Sequence, residues 1–242
     1  MSASPNTLRG KTVVVIGGAS GVGFAIAEAA QGDGARVIVA SSNAANVQAA
    51  VTRLGGGATG SVVDVRDEAS VAGFFAQLGP YDHLAFTAGD WDWSAFATAR
   101  DLDLPAVRDS LGVRFWGALL AVKYGCRTIA QNGSITLTGG MLAHRPMKGA
   151  AVVTAIAGAI EHLALGLAVD LAPVRVNAVC LGFVLTERTK MMPAESLQAA
   201  TARQPLPRSA EPAEAAEAYL YLMRGGYTTG QILRVDGGSS IV

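Results

Sequence analysis

The 242-residue sequence predicts an α/β fold, a single domain over 1–242 built as a Rossmann-type doubly wound parallel sheet of about seven strands. Three observations predict it. Short β-branched runs alternate with Ala-rich segments of helical length, the pattern of repeated βαβ units. A glycine-rich turn, GGASGVG from Gly17 to Gly23, falls directly between the first strand-like run and the first helical segment. The length suits one sizeable hydrophobic core, and no stretch has the composition of a linker.

TVVVI at 12–16 reads as the first strand, because β-branched side chains suit a buried pleated surface, and 22–31 follows as a helix. RVIVA at 36–40 with a helix at 44–54, then SVVDV at 61–65 with a helix at 67–77, repeat the unit. HLAFT at 83–87 leads into a long helical segment over 105–130. SITLT at 134–138 precedes a helix that begins AVVTAIAGAI at 151–160. VRVNAV at 174–179, a helix near 211–224 and a strand near 231–235 complete the series.

Composition excludes several classes of partner. Nineteen Lys and Arg balance nineteen Asp and Glu, and no basic stripe marks a nucleic-acid surface, so a small molecule is the expected partner. Cys126 and Cys180 lack metal-ligand spacing; they read as two buried small hydrophobes in a reducing, cytoplasmic setting, with no metal and no disulfide expected. The start, MSASPNTLRGK, has no apolar signal-peptide core. The longest apolar run, Gly149 to Ile160, is shorter than the ~18 residues of a membrane span and meets Glu161 and His162 at once, so it is expected to be a buried helix with no membrane role.

The turn at Gly17–Gly23 predicts a dinucleotide site. Glycines let the backbone approach a pyrophosphate, while the free N–H groups and positive end of the following helix attract its charge. Gly17, Ala19, Ser20, Gly21, Val22 and Gly23 are the expected contacts. Ala40-Ser41-Ser42-Asn43 ends the second strand without a carboxylate to repel a ribose 2′-phosphate, and Ser41 and Ser42 offer hydroxyls to one; NADP is favoured, with NAD possible.

The spacing GxxxGxG resembles that of the short-chain dehydrogenase/reductase family, and further landmarks agree in order along nearly the whole chain. Asp64-Val65 ends the third strand, where the resemblance implies adenine contact. Ala88-Gly89 ends the fourth within FTAG, where the family usually has NNAG. Arg175-Val176-Asn177-Ala178-Val179 matches the family's RVNAV strand. Leu181-Gly182 stands for its Pro-Gly, with Val184 and Thr186 in the nicotinamide loop, and Val235-Asp236-Gly237-Gly238 matches its VDGG.

The resemblance implies a Tyr proton donor, a Lys four residues later, a Ser at the end of the fifth strand and a supporting Asn. Counting from flanking motifs puts Val153, Ala157, Gly140 and Arg114 in those slots, so this member is expected to be atypical. Arg114 is the first candidate catalytic residue, because a guanidinium stabilises a developing alkoxide although it delivers no proton. His144, in the loop MLAHRPMKGA with Arg145 and Lys148, is the candidate acid. His83 and His162 fall at the wrong strand end and the wrong helix face, and Trp91 and Trp93, within DWDW, are candidate substrate-pocket walls. Two functions compete: an NAD(P)-dependent oxidoreductase acting on a small carbonyl or related compound, and a catalytically silent NADP(H)-binding sensor or partner subunit. Assembly as a homo-oligomer, dimer or tetramer, through the helices around 105–130 and 151–170 is implied by the resemblance.

Overall fold

The computed structural model describes residues 7–89 and 95–242. Seven strands, β1 (Thr12–Ile16), β2 (Arg36–Ser41), β3 (Thr59–Val62), β4 (Tyr81–Phe86), β5 (Ile129–Gly140), β6 (Arg175–Leu181) and β7 (Ile232–Val235), form one sheet in the order β3-β2-β1-β4-β5-β6-β7. Every neighbouring pair is parallel. Because β1 pairs with β2 on one side and β4 on the other, the chain winds away in both directions from that point, opening a crevice at the carboxyl ends of β1 and β4.

Among the described residues eight α-helices follow in chain order: α1 (Gly21–Gly32), α2 (Ala44–Leu54), α3 (Glu68–Leu78), α4 (Leu104–Leu111), α5 (Gly117–Gly125), α6 (Ala151–Asp170), α7 (Ala194–Thr201) and α8 (Pro212–Arg224). Strand alternation divides the core into two layers. Val14, Ile16, Leu84, Phe86, Ile135 and Leu137 face one way, toward α3, α5 and α6. Val13, Val15, Val37, Val39, Ala85 and Val179 face α1 and α8 on the other. The Asn43 side chain caps α2 through the Asn46 N–H, Asp67 caps α3 through the Ala69 N–H, and Glu211 with Glu214 forms a capping box on α8. α1 differs: Ser20 makes no side-chain cap, which leaves its first N–H groups facing the crevice.

The segment expected as one helix over 105–130 is broken. A π-helical turn, Gly112–Trp116, separates α4 from α5, and the Gly117 N–H reaches back five residues to the Gly112 carbonyl. Such wide turns re-aim side chains, here that of Arg114. β3 lies earlier than the apolar run suggested, because beyond Val62 the Ser70 hydroxyl accepts from the Asp64 N–H and Asp64 from the Arg66 N–H, turning the chain off this edge strand. α7 had no predicted counterpart.

The expectation of a buried helix at 151–160 holds for one face only. Six of the twenty residues of α6 are buried, including Ile156, Ile160 and Leu167, whereas Val169 is 79% exposed. Among the described residues α6 is the one helix long and apolar enough to cross a membrane by length and composition; its inner face packs on β5 and β6. Cys180 is buried as expected, but Cys126, at the end of α5, is partly exposed.

Candidate active site

The glycine turn is built by backbone contact that a side chain would prevent. At Gly17, with φ of 88°, a Cβ would come within 2.5 Å of the Ala88 nitrogen and 2.7 Å of Thr87 Oγ1. At Gly23 it would collide with the Gly17 carbonyl oxygen. Gly21, with φ of 53°, lies under the Thr186 methyl group. Thr87 closes the arrangement by donating to the Ile16 carbonyl at 3.1 Å, and so ties the ends of β1 and β4 together. Ala19, Val22 and Gly23 are buried, and Ser20 is exposed at the mouth. Free N–H groups at the start of α1, with a backbone surface stripped of side chains, fit a pyrophosphate.

The remaining predicted cofactor residues lie at or just beyond the carboxyl ends of β2, β3, β4 and β6. Ser41 is half-buried and Ser42 exposed at the end of β2. Asp64 is partly exposed and accepts from the Arg66 N–H, while Val65 is buried against Gly117. Gly182 abuts Asp236, whose carboxyl is opposed by burial yet held below its usual pKa by hydrogen bonds from Ser240 and the Gly238 N–H. Val184 is buried and bridges to Ala210; the Thr186 hydroxyl sits 3.3 Å from that of Thr189. Thus the elements bring the glycine turn, the end of β4 and Thr186 together, as sequence order alone could not show.

Arg114 reaches this crevice from the π-helical turn. A Cβ on Gly89 would come within 2.7 Å of its Cζ, so the guanidinium lies against Gly89, three residues beyond the end of β4, and glycine there is what admits it. Below, Thr138 donates to the Phe86 carbonyl at 2.6 Å and has no second hydrogen, so the buried Tyr219 hydroxyl donates to Thr138 at 2.7 Å. Burial raises the Tyr219 pKa, and its proton is already engaged.

Val153 and Ala157 lie one turn apart on α6, with Gly140 ending β5, and none carries an ionisable group. Thr154 Oγ1 is buried without a hydrogen-bond partner. His144 is partly buried, with Nδ1 3.2 Å from the Arg234 guanidinium and Nε2 2.8 Å from Glu161 Oε2. Arg145 donates to the Ser239 carbonyl and Lys148 is exposed. His83 is buried at the opposite strand end beside Ser134, and His162 is exposed. Asp90, Trp91, Asp92 and Trp93 lie outside the described residues.

Sequence reasoning missed Thr87, Glu161 and Arg234 as members of this region. Glu161 left a signal: it interrupts an apolar run, two helical turns past Val153 on the same face.

A family profile described as enoyl-(acyl carrier protein) reductase matches residues 17–240. The short-chain dehydrogenase/reductase ucsE of Acremonium sp is 38% identical over 260 residues, covering 97% of this chain and 97% of the relative. The structure of the MalC reductase/Diels-Alderase from Malbranchea aurantiaca superposes with a TM-score of 0.90 at 31% identity, covering 99% of this chain and 100% of that one. A small-chain dehydrogenase in complex with NADPH superposes with a TM-score of 0.81 at 34% identity, covering 96% and 99%.

Proposed function

The chain belongs to the short-chain dehydrogenase/reductase family, and from that premise we propose that it is an NADP-dependent oxidoreductase of a small carbonyl or related compound with a non-standard reaction centre. The observation that carries this reading is the close packing of Gly17, Gly21 and Gly23 against Thr87, Ala88 and Thr186, which leaves a side-chain-free backbone surface of the kind a pyrophosphate needs. Ser41 and Ser42, with no carboxylate between Arg36 and Asn46, support NADP over NAD, as does the likeness to an enzyme that binds NADPH. When bound, the reduced nicotinamide supplies a hydride.

Arg114 is the group that this chain offers to the product oxygen. Its fixed positive charge against Gly89 stabilises an oxyanion as it develops, and such a preorganised donor is worth ~10²–10³ in rate. The proton comes from water in this reading, because Val153, Ala157 and Gly140 carry none and both His144 nitrogens face Arg234 and Glu161. General-acid assistance typically contributes ~10²–10⁴, so its loss slows hydride transfer without abolishing it.

The test is NADPH oxidation against a panel of carbonyls and imines. Arg114→Ala is expected to lower kcat/KM by ~10²–10³ while NADPH fluorescence titration stays close to wild type, and His144→Ala to do less. Tight NADPH binding with no turnover on the whole panel would favour the silent sensor or partner subunit, a reading motivated by the absence of an acid at the three α6 and β5 positions. Failure to bind either NADPH or NADH would overturn both.

A further inference from the structure

Three donor side chains outside the glycine cradle meet between α6 and the ends of β5 and β6. A ring nitrogen of His144, a Glu161 carboxylate oxygen and Cys180 Sγ all lie within 4.8 Å of one another. Glu161 is 2% exposed and Cys180 fully buried. His144 Nε2 and Glu161 Oε1 have no hydrogen-bond partner, and the 2.8 Å approach of Nε2 to Oε2 lacks the alignment of a hydrogen bond. Gly139 makes the space: a Cβ there would stand 3.2 Å from Glu161 Cγ and 3.3 Å from Oε1. Glu161 Oε2 is met by His144 and the carboxylate also faces the Cys180 thiol, but Oε1 stays buried without a partner, and an ion shared among the three donors would satisfy it.

We propose that His144, Glu161 and Cys180 bind a borderline divalent metal ion of the zinc class, which pins the loop at 141–148 to α6 and β6. Imidazole, carboxylate and thiolate are the donors such an ion prefers, and water completes a tetrahedron. With metal–ligand bonds of ~2.0–2.3 Å, tetrahedral donors stand ~3.3–3.6 Å apart, so donors now up to 4.8 Å apart close by at most ~1.5 Å. Charge balances, since one carboxylate and one thiolate neutralise the ion. The thiol proton leaves to solvent. The imidazole proton, which sits on Nε2 while Arg234 donates to Nδ1, moves to Nδ1, and the exposed Arg234 guanidinium swings outward. The three donors are spread over 37 residues, His144 to Cys180, so no sequence spacing marks the site. It is independent of the hydride-transfer reading.

Chelator-stripped full-length protein titrated with Co²⁺ tests this. One equivalent is expected to produce the visible bands of tetrahedral cobalt together with a near-ultraviolet thiolate charge-transfer band, and Zn²⁺ is expected to bleach both. Cys180→Ala is expected to lose the charge-transfer band, and Glu161→Gln to lose stoichiometric binding. Absence of the cobalt spectrum overturns the site, as does a spectrum without the charge-transfer band or one unchanged in Cys180→Ala. Should either buried variant fail to show native circular dichroism, His144→Ala, in the more exposed loop, gives the same comparison: retention of the full spectrum there also overturns it.

Discussion

Gly23 shows how a single missing side chain sets the crevice. Its Cα faces the Gly17 carbonyl and Thr87 Oγ1 so closely that any Cβ meets backbone, which cannot rotate away. Gly23→Ala is therefore expected to push α1 off β1, destabilising the protein by ~1–3 kcal/mol and removing NADPH binding. A urea midpoint measured beside a fluorescence titration checks it; wild-type affinity in the folded variant would contradict the cradle. The same close approach explains Gly89, where the space taken by a Cβ elsewhere holds the Arg114 guanidinium. The glycines of the turn were legible in sequence because the requirement is local. The partner of Gly89 was not, because Arg114 comes from a different element.

The amino ends of β4 and β5 carry a titration that the nucleotide crevice does not. His83 is 4% exposed, with Nδ1 2.9 Å from Ser134 Oγ, and burial lowers its pKa to about 4 from a usual value of 6.5, against the opposing pull of Asp82 and with help from Arg175 and Lys11. Between those two pH values the unfolded chain binds more protons than the folded one, so stability rises with pH there. The contribution is complete above 6.5 and is lost as pH falls toward 4, amounting to at most ~3 kcal/mol. Urea midpoints across this window are expected to fall in the wild type and to flatten in His83→Asn; equal slopes would exclude His83 as the cause. Among the elements themselves, the strand and helix series was legible from period and β-branching. The π-helical break at 112–116 was not, since GVRFW continues a helical pattern and the wide turn appears only where α4 and α5 pack separately. The one-sided burial of α6 was hidden likewise, because an apolar run of small residues has no polar face to mark which side meets the sheet.

For the whole molecule, the outer face of α6 bears on assembly. Leu165 and Val169 are exposed on a helix whose inner face is core, and Trp116 is exposed on the neighbouring π-helical turn. Homo-oligomer formation through these helices is expected to cover them. Light scattering at micromolar concentration is expected to exceed the 24.7 kDa chain mass, and Leu165→Arg to reduce it; a wild-type monomer would contradict the expectation. The sequence by itself determined the alternating sheet architecture, the nucleotide-type turn and the apolar or glycine identity of positions 140, 153 and 157, because each depends on residues near one another in the chain. Tertiary structure alone decided that Arg114 lies over Gly89, that His144 faces Glu161 and Arg234, and that Cys180 joins them. Those contacts join α6, the π-helical turn, the ends of β4–β7 and a connecting loop, and their distances are set by the packing of helices on the sheet, which no local spacing encodes.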